Sequence, residues 1–104
     1  MPTTCQMEGR RMRWTLCGEI DHHSAGEWTA RLERELALRL PQELELDFSG
    51  VTFLDSSGIA LVLRAYRAMS ELGGALSLTA VPAQAARVLR MAGIHRLVTM
   101  QTRS

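Results

Sequence analysis

The sequence predicts a single α/β domain in which a mixed β-sheet of about four or five strands packs against about three or four helices. Three observations lead to this fold class. The chain has 104 residues and is 46% hydrophobic, which suits one compact domain with one core. It opens with a pair of strand-like segments. Helical and strand-like periodicities then alternate with short connections, so residues 1–104 are expected to form one domain.

A β-hairpin is predicted at the start of the chain, from Thr3 to Cys17. Glu8-Gly9-Arg10 separates two extended segments, and the second, MRWTLC, alternates apolar with polar side chains. Cys5 and Cys17 therefore fall in neighbouring strands. Their spacing fits neither a CxxC redox motif nor a four-ligand zinc set, and we expect buried thiols in a reducing, cytoplasmic location.

A first helix is predicted from about His22 to Leu40, because apolar side chains recur there at helical spacing and Pro41 follows. Ser24 and Glu27 also form an S-x-x-E capping-box pattern, which predicts a slightly later start. On that alternative the residues before Ser24 form an exposed loop beside the edge of the sheet.

The remaining elements alternate between strands and helices. Glu43 to Phe48 has the two-residue period of a strand, Ser49-Gly50 interrupts it, and the apolar run VTFLD follows. The helix from Gly58 to about Leu72 has a regular apolar stripe and stops at Gly73-Gly74. Three further elements complete the pattern: a strand from Ala75 to Ala80, a helix that starts near Pro82 and is followed by Gly93, and a short strand from Leu97 to Met100.

Charge and hydropathy argue against two classes of partner. The 12 basic residues, all of them arginines, nearly balance the 11 acidic residues, and the formal net charge is +1. This balance predicts no strong field for a polyanion, so nucleic acid is not an expected partner. No run approaches the roughly 20 apolar residues of a membrane span, and the N-terminus lacks the apolar core of a signal peptide, so no membrane partner is expected.

The stretch VTFLDSSG, from Val51 to Gly58, carries the strongest functional signal. An apolar run ends there in an acid and two serines, and a glycine then opens an amphipathic helix. The first N–H groups of a helix lack intrahelical partners and the helix dipole adds positive charge, so a phosphate on Ser56 or Ser57 would be stabilised locally. The same residue types are common helix caps, worth about 1 kcal/mol, and this pattern by itself favours a cap.

The adjacent His22 and His23 are expected to lie on the surface and not to bind a metal. Neighbouring side chains diverge in direction on a helix or strand, and no third ligand follows at a suitable spacing. The chain also lacks a glycine-rich phosphate loop. No metal and no cofactor are predicted.

Two motifs occupy fixed places in this order of elements: GEIDHHSA, from Gly18 to Ala25, and VTFLDSSG. Together they resemble the motifs of the STAS domain family, and more narrowly those of the bacterial anti-sigma factor antagonists. The resemblance extends through the Gly73-Gly74 turn to the segment RVLRMAGI, from Arg87 to Ile94. It implies a single STAS-type domain.

The resemblance implies a regulator without catalytic activity. In that family the unphosphorylated antagonist binds an anti-sigma factor, a serine kinase in its ATP- or ADP-bound form, and so releases a sigma factor. Phosphorylation ends the binding, and a metal-dependent serine phosphatase reverses it. Ser56, directly after the aspartate, is the implied phosphoacceptor. The implied partner-binding surface comprises Asp21, His22, His23, Asp55, Ser56, Ser57 and Gly58.

Several points stay open at this level. The regulated process, sporulation or general stress, is not specified, and family members are usually monomers when free. A STAS domain can also serve in a stress-signalling assembly or dock on a lipid-transporter ATPase. A small serine hydrolase with Ser56 or Ser57 as nucleophile and a histidine base is a remote alternative, because a G-x-S-x-G elbow is absent and about 100 residues leave little room for a substrate pocket.

Overall fold

The computed structural model describes residues 4–103, which form a sheet, three α-helices and one 3₁₀ turn. The elements in chain order are β1 (Thr4–Glu8), β2 (Arg11–Ile20), α1 (Ala25–Arg39), β3 (Glu43–Leu54), α2 (Ser56–Glu71), β4 (Ala75–Val81), α3 (Ala83–Met91), the 3₁₀ turn (Ile94–Arg96) and β5 (Thr99–Thr102).

The sheet has five strands in the order β1-β2-β3-β4-β5. β1 and β2 form an antiparallel hairpin that turns at Gly9, where φ is +62°, and every later neighbour pair is parallel. Parallel neighbours joined by right-handed helical crossovers place α1, α2 and α3 on the same face. The predicted α/β fold with a mixed sheet is thereby confirmed.

The hydrophobic core fills the space between this face and the helices. Trp14 on β2 and Trp28 on α1 are each 1% exposed and lie within it. Alternate strand residues point inward, as the two-residue period predicts. The other large members from β2, β3, α1 and α2 are Met12, Leu16, Leu44, Leu46, Phe48, Leu32, Leu36, Leu61 and Met69.

The opposite face of the sheet carries charged side chains. Arg11 Nη2 lies 2.5 Å from Oε1 of Glu45, and Arg13 Nη2 lies 2.5 Å from Oδ2 of Asp47. The Oγ1 of Thr79 donates to Glu45 at 2.8 Å. Although they lie on the face without helices, Glu45 and Asp47 are only 8% and 5% exposed. The arginine stems and ion pairs therefore cover a face that parallel sheets usually bury under helices.

Several boundaries differ from the sequence-based prediction. β2 continues to Ile20, three residues beyond the predicted Cys17. β3 continues through Ser49-Gly50, because register shifts against β2 absorb the irregular step. α2 begins at Ser56, two residues before the predicted Gly58, since a side chain caps it earlier. β5 begins at Thr99 and not at Leu97, because the 3₁₀ turn takes up the chain before it.

The two cysteines also differ from the prediction of buried thiols. Neither forms a disulfide within residues 4–103, and both are only partly buried. Cys5 lies on the edge strand β1, and Cys17 lies opposite Gly50, which has no side chain to cover it.

None of the helices within residues 4–103 combines the length and apolarity that are needed to cross a bilayer.

Candidate functional site: the serine corner

The two sequence motifs meet at one edge of the sheet. Ile20 ends β2 and Leu54 ends β3, and these two residues are register partners in the parallel pair. Asp21 and Asp55 follow directly, and the N–H of Asp55 donates to the carbonyl of Ile20 at 3.2 Å. The fold therefore places the acids of both motifs next to each other, at the starts of α1 and α2. We call this region the serine corner: residues 21–24 and 55–58.

Asp55 is the N-cap of α2. Its backbone is extended, and its Oδ1 accepts the N–H of Ser57 at 2.7 Å. Its carbonyl accepts the N–H of Gly58 at 2.9 Å. A carboxylate at this position satisfies an orphan N–H and interacts favourably with the positive end of the helix dipole. The sequence pattern favoured a helix cap at this point, and Asp55 forms it rather than Ser56 or Ser57.

The two serines and the glycine occupy different environments. Ser56 is exposed at the first position of α2, and within residues 4–103 its hydroxyl makes no hydrogen bond. Ser57 is half-buried. Gly58 is buried, and a Cβ at this position would lie 2.4 Å from Cγ of Leu54. Gly58 therefore packs the corner from inside, and its assignment to the partner-binding surface stays a prediction.

Asp21 organises the turn that precedes α1. Its Oδ1 accepts the N–H of His23 at 3.0 Å and the N–H of Ser24 at 3.1 Å. Burial raises the pKa of the Asp21 carboxyl, but the hydrogen bonds from Ser24 and His23 outweigh it and hold the pKa below its ordinary value. α1 starts at Ala25 with Ser24 as N-cap, as the capping-box alternative predicts, yet within residues 4–103 the Ser24 side chain makes no cap hydrogen bond. Its Oγ donates instead to the carbonyl of Glu19 at 2.8 Å.

His22 and His23 project from this turn into solvent. Their ring centroids are 4.0 Å apart and the rings are tilted by 38°. In the described part of the chain, His, Cys, Asp and Glu side chains form no group of three that could hold a metal ion. The exposed position agrees with the predicted surface role of the pair.

A shallow cleft of about 320 Å³ runs between the N-terminal halves of α1 and α2 and connects the two motifs. His22 and Ser57 line it where the helices begin. Further along, Arg64 binds Glu33 with both Nε and Nη2, at 3.0 and 2.8 Å. The residues between have small side chains, which leave the depression open: Ala25, Gly26, Thr29, Ala30 and Ala60.

Sequence reasoning missed Gln84, in the first turn of α3. The ladder between β3 and β4 ends at the pair of Asp47 and Thr79, so in the described part of the chain Leu54 has no strand partner on that side. The amide of Gln84 takes the place of a strand: its Oε1 accepts the Leu54 N–H at 3.0 Å, and its Nε2 donates to the Leu54 carbonyl at 2.9 Å. The one sequence signal was a polar residue in the first turn of a helix that otherwise packs through alanines and leucine. Gln84 holds the residue directly before Asp55 in place.

Comparison with known proteins agrees with this architecture. The family model described as Mlab, STAS domain, matches residues 3–99. An anti-sigma F factor antagonist of Paenibacillus polymyxa is 26% identical over 83 residues, which cover 80% of this chain and 71% of the relative.

Solved structures share the fold. The anti-sigma factor antagonist SpoIIAA in its unphosphorylated form superposes with a TM-score of 0.83 at 24% identity, over 97% of this chain and 89% of that chain. The Bacillus cell fate determinant SpoIIAA in its phosphorylated form superposes with a TM-score of 0.75 at 24% identity, over 97% of this chain and 92% of that chain. Because the family model covers nearly all of the sequence, this chain belongs to the STAS domain family.

Proposed function

We propose that this protein is an anti-sigma factor antagonist that a serine kinase inactivates by phosphorylating Ser56. The observation that carries the proposal is the exposed side chain of Ser56 at the first position of α2, directly after the capping Asp55; within residues 4–103 its hydroxyl makes no hydrogen bond. A kinase needs a hydroxyl that its bound ATP can reach, and this hydroxyl meets that requirement. The likeness to an anti-sigma F factor antagonist supports the assignment.

The unphosphorylated form binds the kinase through the exposed part of the serine corner. Ser56, His22 and His23 present side chains to solvent, and the cleft beside Ser57 adds a concave depression with a volume of about 320 Å³. Asp21 and Asp55 hold the two turns in position by accepting backbone N–H groups. The partner is the anti-sigma factor in its nucleotide-bound form, and its capture releases the sigma factor.

A phosphate on Ser56 changes the charge of this surface and not its fold. It adds roughly −1.5 to −2 charges beside Asp55, at a helix N-terminus that tolerates anions. At an effective dielectric constant near 20, a carboxylate of the partner about 6 Å away would be repelled by about 3 kcal/mol for each charge of the phosphate. This repulsion lowers the affinity of the partner by more than a hundredfold. SpoIIAA shares the present fold in both its phosphorylation states, which supports a switch that leaves the domain folded.

The protein acts here as ligand and substrate, without catalytic activity of its own. Within residues 4–103, neither Ser56 nor Ser57 donates its hydroxyl to a histidine, so the arrangement offers no activated nucleophile to support the hydrolase alternative. A metal-dependent serine phosphatase that removes the phosphate, a cytoplasmic location and a monomeric free state complete the proposal.

Incubation with the cognate kinase and ATP, followed by mass spectrometry, tests the proposal. Phosphate is expected on Ser56 in the wild type and in Ser57→Ala, and none in Ser56→Ala. Calorimetric titration should show that Ser56→Asp binds the kinase about a hundredfold more weakly. Ser70→Asp is the matched control, because it adds the same charge at an exposed position near the other end of α2.

Phosphate on Ser57 would move the switch by one residue. No phosphate with a demonstrably active kinase would contradict kinase control, and it would favour a STAS domain that docks on a different ATPase, as the lipid-transporter alternative predicts.

A further inference from the structure

The charges of this chain are unevenly distributed. All 11 acidic residues lie within residues 1–71, which also hold eight arginines and so carry a net charge of −3. Residues 72–104 hold four arginines and no acid, a net charge of +4. The overall value of +1 conceals this difference. The C-terminal third, from the turn after α2 onward, is therefore a basic segment.

The structure gathers three of these arginines around one cleft. Arg87 and Arg90 on α3 and Arg103 after β5 line a depression of about 370 Å³. Ala83 and Ala86 form part of its lining, and their small side chains leave it open. We call this depression the arginine cleft. Arg87, Arg90 and Arg103 are all exposed at its rim.

The arginine cleft lacks a counter-charge within residues 4–103. Arg87, Arg90 and Arg103 form no ion pair there, whereas four arginines of the acidic part do: Arg11, Arg13, Arg39 and Arg64. The guanidinium of Arg103 donates to the carbonyl of Ser49, which leaves its charge uncompensated. Three like charges around a concave surface repel one another and favour the binding of an anion.

The arginine cleft lies at the same edge of the sheet as the serine corner. β3 and β5 both run parallel to β4, so Leu54 and Thr102 end their strands on one side. Gln84 binds the backbone of Leu54, and Arg87 follows it by about one helical turn. A protein that covers Ser56 and extends along α3 reaches this cleft. At its other end Met91, 84% exposed, adds an apolar contact.

We propose that the arginine cleft binds an acidic segment of the anti-sigma kinase, so that the kinase contacts both the serine corner and α3. The inference rests on the proposed function, because it assigns a second contact to the same partner. A compact protein segment fits better than a bilayer or a long duplex. Those extended anions would also approach the acidic part of the molecule, whose net charge is −3 over its first 71 residues. Guanidinium groups bind carboxylates in a bidentate manner, which suits Asp and Glu side chains.

Titration of the nucleotide-bound kinase into the double variant Arg87→Glu/Arg90→Glu tests the inference. We expect about tenfold weaker binding than for the wild type, with a shallower dependence of affinity on salt concentration. Arg31→Glu/Arg34→Glu is the matched control, because it reverses two charges with the same spacing on α1 and should bind like the wild type. Circular dichroism verifies that both variants are folded, and Arg87→Gln/Arg90→Gln repeats the test with a smaller change.

The outcomes separate the two proposals. If Ser56→Asp weakens binding as expected, and Arg87→Glu/Arg90→Glu and Arg87→Gln/Arg90→Gln bind like the wild type, the cleft is not a kinase contact and the proposed function stands. If the wild type itself does not bind the kinase, both fail. If the glutamate variant keeps its affinity for the kinase but loses binding to phosphatidylglycerol vesicles or to duplex DNA that the wild type binds, the cleft belongs to a different anion and the inference is overturned.

Discussion

The side chains of the serine corner divide into those that build it and those that present it. Asp21 and Asp55 accept backbone N–H groups, and Gln84 bonds both backbone groups of Leu54. Ser56 makes no such bond within the described chain and is exposed. Substitutions of Asp21, Asp55 or Gln84 therefore change stability as well as any binding. Substitution of Ser56 changes the surface with little effect on the fold.

Asp55→Ala should lower the free energy of unfolding by about 1 kcal/mol, because α2 loses its N-cap. Asp55→Asn keeps an acceptor for the Ser57 N–H, so its free energy of unfolding should fall by less, although the charge is removed. Urea denaturation of the three proteins measures the difference. Equal stability of wild type and Asp55→Ala would show that the hydrogen bond at 2.7 Å does not stabilise the helix.

Gln84→Ala should cost about 1–2 kcal/mol of unfolding free energy, because it leaves the N–H and the carbonyl of Leu54 without protein partners. Hydrogen exchange at the Leu54 amide should also become faster. The control is Gln101→Ala, at an exposed position on β5, which should leave both quantities unchanged. Unchanged exchange at Leu54 in Gln84→Ala would contradict the interpretation of this amide as a substitute for a strand.

At the scale of elements, α2 has both of its ends determined by local sequence. Asp55 caps its start. At its end Gly73 adopts a φ of +72°. The N–H of Gly73 donates to the carbonyl of Ser70 at 3.0 Å, and the N–H of Gly74 donates to the carbonyl of Met69 at 2.8 Å. This is a Schellman motif, which glycine favours because it lacks a Cβ. The predicted C-terminal stop is confirmed, and the helix places Ser56 at a defined position relative to the sheet.

Gly58→Ala tests how closely α2 packs on β3. Alanine is favoured over glycine in a helix by about 1 kcal/mol. Here its Cβ would lie 2.4 Å from Cγ of Leu54, which is 1% exposed, and overpacking of a core costs about 1–3 kcal/mol. We expect a net loss of stability in thermal or urea unfolding.

Gly26→Ala on α1 is the comparison for this variant, because a Cβ there would meet no atom of residues 4–103 within 4 Å. This variant should be more stable than the wild type. Equal stabilisation by both alanines would mean that Leu54 repacks without cost.

For the whole molecule, the face of the sheet without helices is the unusual feature, because it buries Glu45 and Asp47 among arginines. Burial raises the pKa of Glu45, but the hydrogen bonds from Thr79 and Arg11 outweigh it and lower the pKa. Burial likewise raises the pKa of Asp47, and the hydrogen bonds from Arg13 and the Ser49 N–H outweigh it. The pKa values of both carboxyl groups are therefore lower in the folded protein than their ordinary values.

A lowered folded pKa contributes stability that is fully present above the ordinary carboxyl pKa and is lost as the pH falls through the folded pKa. We expect the free energy of unfolding to be constant near neutral pH and to fall below about pH 4. Urea denaturation between neutral pH and about pH 2 measures this, and Asp47→Asn should show a shallower fall. Glu19→Gln, an exposed position outside the ion-pair network, should keep the wild-type slope. An identical slope in Asp47→Asn would exclude Asp47 as a source of the pH dependence.

Local sequence determined the parts of this protein that depend on residues a few positions apart. The hairpin turn at Gly9, the apolar stripe of α2 and its glycine stop were all predicted, because hydrogen bonds and periodicity within one element decide them. Both motifs were also visible in the sequence, and the resemblance that they carry named the family that the comparison then showed.

Only the tertiary structure decided how these parts meet. The register of Ile20 with Leu54 joins the two motifs, Gln84 replaces a missing strand, and Arg103 lies beside α3. Gly58 belongs to the second motif, and the close approach of Leu54 buries it. Each of these arrangements depends on contacts between side chains far apart along the chain. Such contacts follow from the packing of the whole core, which no local pattern specifies.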